Sequence, residues 1–412
     1  MPGSRLAPPR VPSGKIAVQA PPELQPSDGG SSLITSLMPM VGSIGAIVMV
    51  SISNSGPTGF ITGGLFLMSS LGFVAVNGWR QRGQRQSTIL ASRREYLAYL
   101  TDLRQTVRVA AKQQRRAANW LNPPPSALTY IAEERTRVWE RSPEDLDFLT
   151  VRVGSNDQPL CLTLEAPELP PLAQLDPVSA SAAHRFMLAH EMQKNLPLAI
   201  SLREHARVEV TGDEAEVRSV VRAMLLHATT MQHPDNLQVA IYSDESSLAQ
   251  WEWAKWLPHT HSRRVNDGLG PARMIGSNLA ELEDLLPSEI RERPRFGRDA
   301  ASKLPHVIIV VDGARVANGD PIITEEGVLG VTVIELPTRW SDLENPAVLR
   351  VAFTQNATAP KQAAELISLH AAAVEFTADA ISIVEAEATA RRLMPLHTAS
   401  STAERVSSTA QA

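Results

Sequence analysis

The spacing of apolar residues changes character three times along the chain. Residues 29–79 contain no Asp, Glu, Lys, Arg or His, and the turn-forming cluster Asn54-Ser55-Gly56-Pro57 divides them into apolar runs at 33–53 and 58–78. At about 20 residues each, both runs match the thickness of a bilayer core and predict a two-span transmembrane hairpin. From 84 to 120 the period becomes helical, with Leu90, Tyr96, Leu97, Tyr99, Leu100, Leu103, Val107 and Ala110 set among arginines and glutamines. Asn122-Pro123-Pro124-Pro125 must stop that helix. Residues 126–141, with Leu128, Ile131, Ala132, Val138 and Trp139, predict a second helix, and the two together predict a helical stalk.

From about residue 143 short apolar runs alternate with helical ones. Strands are expected at 148–153 and 160–164, pairing with each other, then at 207–210, 237–242, 306–311, 331–336 and 349–353. Helices are expected at 179–194, 214–230, 277–286, 360–373 and 378–393. Alternation of this kind predicts a parallel sheet covered by helices, so the fold class is α/β with membrane helices. The Ser/Thr/Ala-rich residues after Pro395 predict a flexible tail.

Charge adds an orientation. Residues 80–116 carry ten Lys or Arg against two acidic residues, and Arg5, Arg10 and Lys15 precede the first apolar run. The positive-inside bias then puts both ends and the globular part in the cytoplasm of a cell whose inner membrane holds the hairpin. In a chain of 412 residues with net charge −5, a local basic run points to anionic lipid headgroups rather than nucleic acid. Gly59, Gly63, Gly64 and Gly72 either allow close helix packing or reflect the glycine content of membrane helices. Cys161 is the single cysteine, which excludes a disulfide framework within the chain. His259 and His261 have no thiol or carboxylate at ligand spacing, so no metal is expected.

The candidate chemistry lies in residues 208–219. A phosphate-binding loop needs glycine at both ends, then Lys and Ser or Thr, so that backbone N–H groups wrap phosphate and the hydroxyl holds magnesium. Gly212 and Ser219 stand at the right positions. Val217 replaces the second glycine, Arg218 replaces the lysine, and Asp213, Glu214 and Glu216 would repel phosphate. Asp312 ends an apolar strand where P-loop enzymes hold magnesium, and Gly313 follows where a base would stand. Gly212, Arg218, Ser219 and Asp312 thus predict a vestigial nucleotide site with no catalytic residue.

Three blocks carry a family resemblance: Trp251-Glu252-Trp253-Ala254-Lys255-Trp256-Leu257-Pro258-His259, Arg137-Val138-Trp139-Glu140-Arg141, and Phe148-Leu149-Thr150-Val151-Arg152-Val153-Gly154. With Gly270-Pro271-Ala272-Arg273-Met274, they resemble the N-terminal region of EccC, the FtsK/SpoIIIE-type ATPase family of type VII (ESX) secretion. The resemblance implies a division into a flexible N-terminus (1–32), two membrane helices (33–78), a stalk (79–141), a degenerate RecA-like domain (142–395) and a tail or linker (396–412). It implies ATP and magnesium only in further P-loop domains. It also implies EccB-, EccD- and EccE-like partners, further EccC copies in a hexameric motor, and export of small helical-hairpin substrates.

Tyr96, Tyr99, Leu103 and Val107 are candidate partner contacts along the stalk, or else pack on the stalk's own second helix. Trp139, Trp251, Trp253, Lys255 and Trp256 are family-motif packing residues; an aromatic cage for a cation is the alternative. Arg263, Arg264 and Arg273 are either cross-subunit fingers or ordinary solvated arginines. The function implied is that of a membrane subunit coupling downstream ATPase domains to an export channel, against a DNA translocase or a passive scaffold.

Overall fold

The computed structural model describes residues 5–24, 57–168, 171, 174–298, 300, 303–317, 319–336, 341–354 and 362–409. Fourteen strands occur among them: β1 (Gly14–Ala17), β2 (Thr150–Pro159), β3 (Leu162–Glu165), β4 (Met192–Ser201), β5 (Arg207–Thr211), β6 (Leu237–Ser243), β7 (His261–Asp267), β8 (Gly270–Arg273), β9 (Ile275–Gly276), β10 (His306–Asp312), β11 (Val331–Leu336), β12 (Val348–Phe353), β13 (Ala363–Ser368) and β14 (Ala371–Ala378). The α-helices are α1 (Pro57–Leu121), α2 (Pro125–Glu134), α3 (Pro177–Glu191), α4 (Glu214–Met231), α5 (Leu279–Leu285) and α6 (Ile383–Thr409). The chain forms two compact units, one of residues 12–112 and 159–192, the other of residues 1–11, 113–158 and 193–412.

The expected two-span hairpin is corrected. Residues 58–78 are the start of α1, a helix of 65 residues that continues into the arginine-rich run. Among the described residues no helix is long and apolar enough to cross a membrane. The first apolar run, 33–53, lies outside the described residues.

In the smaller unit the apolar stripe of α1 is covered from within. Tyr96, Leu100, Leu103, Val107 and Ala110 pack with Val18, Leu160, Leu162, Ala183 and Phe186, beside the parallel pair β1–β3. Asp176 caps α3 by accepting from Ser179 N at 3.1 Å, and the Arg93 guanidinium grips its two oxygens at 2.6–2.9 Å. That arginine holds the Asp176 carboxyl below the usual carboxylate range.

The larger unit is built on a ten-stranded sheet in the order β4-β2-β14-β13-β12-β5-β11-β10-β6-β9. It is mixed, not the parallel sheet expected. The run from β12 to β9 is parallel, and β13, β14 and β2 extend it antiparallel. The five strands expected between 207 and 353 appear as β5, β6, β10, β11 and β12. Residues 362–373, expected as part of a helix, instead belong to the β13–β14 hairpin: Ala and Glu are good helix formers, but pairing against β12 overrides that local preference. Nor do β2 and β3 pair with each other; β2 pairs with β14, and Gly154 gives the Thr377 carbonyl room that a Cβ would fill.

Every residue of β6 and β10 is buried, as strands covered on both faces must be. Ile308 and Val310 point to a core shared with α2, α4, α6, Trp251 and Trp253. Val307, Ile309 and Val311 point to the opposite one, with Leu282, Ile322 and Val328. Leu128 and Ala132 of α2 lie buried in the first core, where this helix packs on α4 and α6.

Candidate functional site

The β5–α4 connection decides what the vestigial site can do. A phosphate cradle needs a wide loop whose N–H groups point inward. Here the strand ends at Thr211 and the helix begins at Glu214, leaving only Gly212 and Asp213 between them. Asp213 caps α4 by accepting from Ala215 N at 2.9 Å, and Val217 N already donates to Asp213 O at 2.9 Å. Three acidic residues in and before the first turn favour helix formation here through the helix dipole, so the sequence that replaced the loop also winds it up. Gly212 adopts φ +151°, and a Cβ there would meet Phe353 Cβ at 2.6 Å; the aromatic ring closes the position from the neighbouring strand.

Arg218 and Asp312 are brought together, and Ser219 is taken up separately by backbone. Arg218 forks onto Asp312, Nε to Oδ2 at 2.8 Å and Nη2 to Oδ1 at 3.2 Å. It also donates to Glu214 Oε2 at 2.8 Å and to Ser247 Oγ at 2.9 Å. The Asp312 hydrogen bond and charge raise the Arg218 pKa above its ordinary value. Trp251, fully buried, donates its indole N–H to Asp312 Oδ2 at 2.8 Å. Ser219 Oγ accepts from Ile381 N at 2.9 Å and donates to Ile381 O at 3.1 Å. The carboxylate that would hold magnesium is bound to a guanidinium and an indole, and the hydroxyl that would hold it is tied to backbone. These residues do not fit a magnesium nucleotide. No group of three metal-ligating side chains occurs among the described residues.

The sequence offered Trp251 as a packing residue or as a wall of an aromatic cage, not as a hydrogen-bond donor; its buried indole N–H takes Asp312 as acceptor. Trp253 is equally buried, so neither ring offers a face to a cation from outside. Trp256 is half-buried and lies under Arg391, whose Cζ is 3.9 Å from the ring centroid; Lys255 pairs with Glu252. Trp139 takes φ +58°, donates Nε1 to Thr229 O at 3.1 Å and meets the His233 ring edge-on at 4.8 Å. Tyr96, Leu103 and Val107 are buried and Tyr99 is half-buried in the smaller unit, so the stripe marked for partners is occupied by the chain itself. Arg263 reaches Asp235 at 2.7 Å, Arg264 the carbonyls of Asp284 and Leu286, and Arg273 the carbonyl of Lys255.

No protein-family model matches the chain. The ESX secretion system protein EccC of Thermomonospora curvata is 35% identical over 401 residues, covering 96% of this chain and 30% of that protein. The chain belongs to the EccC family. The ESX-4 protein EccC4 of Mycobacterium tuberculosis is also 35% identical, over 84% of this chain and 26% of its own length. The ESX-5 protein EccC5 of Mycobacterium marinum is 30% identical over 74% and 22%. This chain therefore spans about a third or less of these relatives, which are proteins of ESX secretion systems. Among solved structures, the cytoplasmic domain of the Thermomonospora curvata type VII secretion ATPase EccC overlaps 66% of this chain and 33% of its own, with TM-score 0.34 and 13% identity.

Proposed function

We propose that this EccC-family chain is a non-hydrolysing coupling segment of a type VII secretion complex. The observation that carries the reading is the clasp of Arg218, Asp312 and Trp251, which fills with the protein's own groups the place where nucleotide and magnesium would sit. A side chain spent on internal pairing is unavailable to a ligand, because a competing phosphate must first repay the buried ion pair. On this reading ATP and magnesium act in parts of EccC proteins that this chain does not span. The chain operates at the cell's inner membrane, with its ten-stranded unit in the cytoplasm, beside EccB-, EccD- and EccE-like subunits and further EccC copies. It passes motion from those motors to the export machinery for small helical-hairpin substrates.

The test is isolation of the full chain from its native membrane in mild detergent, with mass spectrometry of what accompanies it and an ATP-turnover assay of the chain alone. Co-isolation of EccB-, EccD- and EccE-like subunits with no turnover is the expected result. Turnover by the chain alone, or isolation without those subunits, would overturn the proposal.

A further inference from the structure

The last turn of an α-helix leaves its final carbonyls without partners inside the helix, and the helix dipole places partial negative charge there. In the ten-stranded unit the end of α1 is met by three buried arginines. Arg137 Nη2 donates to Trp120 O at 2.8 Å, Arg141 Nη2 donates to Leu121 O, and Arg152 Nη1 donates to Asn122 O at 3.1 Å. Their exposures are 8%, 1% and 8%. Burial lowers the Arg141 pKa to about 10, a measure of how far that guanidinium has been taken from water.

Each arginine divides its donors between the helix end and a carboxylate of the same unit. Arg137 pairs with Glu140, Arg141 with Asp147 at 3.2 Å and Arg152 with Asp379 at 2.7 Å. A helix end that needed only hydration would find it in water; three desolvated and individually balanced cations fix it in one place and direction. All three arginines lie in the two blocks, 137–141 and 148–154, that share the family resemblance, and the nucleotide positions contact none of them directly.

Asp379 leads back to the vestigial site. Its N–H donates to Val153 O at 2.9 Å. Two residues on, the Ile381 backbone is held by Ser219 Oγ through both its N–H and its carbonyl, and that carbonyl also accepts from Arg222 Nε at 3.2 Å. Residues 379–381 are thus a short strap, with Ser219 at one end and Arg152 at the other.

We propose that Arg137, Arg141 and Arg152 are the joint by which the ten-stranded unit grips the end of α1, and that Ser219 sets the grip of Arg152 through the strap 379–381. A residue standing where a magnesium ligand would stand has become a positioning residue for a helix. The proposal deepens the coupling reading above and rests on it for its purpose.

Amide hydrogen exchange on the full chain tests it, comparing the wild type with Ser219→Ala and with Arg152→Lys, which keeps the charge but loses the fork. One lost charge-assisted hydrogen bond predicts about tenfold faster exchange at residues 119–122 in Arg152→Lys, and loss of the hydroxyl predicts a several-fold rise at the same amides in Ser219→Ala. Amides of β10 should stay at their wild-type rates in both. Unchanged rates at 119–122 in either variant, or an equal rise at β10, would overturn the proposal, since the second is what ordinary destabilisation produces. Nucleotide turnover or missing partner subunits would sink the coupling reading while leaving this exchange pattern in place, so the two failures are distinguishable.

Discussion

Asp312→Ala distinguishes a clasp from an idle metal ligand by the sign of its effect on stability. Asp312 is 3% exposed and takes two hydrogen bonds from Arg218 and one from Trp251. Removing one partner of a buried ion pair costs about 3–5 kcal/mol. Arg218 keeps Glu214 and Ser247, which pulls its share to the low end of that range, while an orphaned buried indole N–H adds about 1–3 kcal/mol. The sum is a loss of about 4–6 kcal/mol for Asp312→Ala. Asp312→Asn keeps one acceptor oxygen for Trp251 and should cost about half as much. Urea unfolding of the full chain followed by tryptophan fluorescence reads both, with Trp251 at the perturbed place. A carboxylate kept for a metal would stand unpaired in the free protein, and its removal would be neutral or stabilising. An Asp312→Ala variant as stable as the wild type would therefore refute the clasp.

Gly212→Ala forces a side chain into a positive-φ position against Phe353, and thermal unfolding should show a loss of about 1–3 kcal/mol; no loss would mean that Phe353 does not close the loop. Val107 is fully buried, so Val107→Asp should lower the stability of the isolated chain by more than about 3 kcal/mol, whereas an effect seen only when partner subunits are present would return this stripe to the surface. His306 is buried, which lowers its pKa from 6.5 to about 3. The unfolded chain then takes up a proton in that window and the folded one does not, so stability should fall as pH drops from about 6.5 toward 3, by up to about 1.4 kcal/mol per pH unit. Unfolding midpoints that stay flat across that window would contradict it.

Much of the parallel run was legible because its signals are local. Val307 to Val311 form an unbroken apolar run ending in Asp312, and Gly212, Arg218 and Ser219 sit at recognisable offsets from one another. The antiparallel extension was not legible, because Ala363, Ala364 and Glu365 prefer helix when taken alone and become strand only by pairing with β12. The membrane hairpin rested on apolar composition alone, and among the described residues no helix is long and apolar enough to cross a membrane. At the site, residue types showed that phosphate binding was lost. They did not show what replaced it, since the Arg218–Asp312 fork joins residues 94 positions apart. The arginine joint was hidden in the same way: Arg137, Arg141 and Arg152 were visible as family blocks, but their common target is the end of a helix closed by prolines.

Isothermal titration of the full chain with Mg-ATP tests the central claim most directly. The filled site predicts no binding heat at nucleotide concentrations up to about 1 mM, which excludes binding stronger than about 4 kcal/mol. A saturable heat that disappears in Asp312→Asn would contradict the account, because it would show that the clasp opens to admit nucleotide.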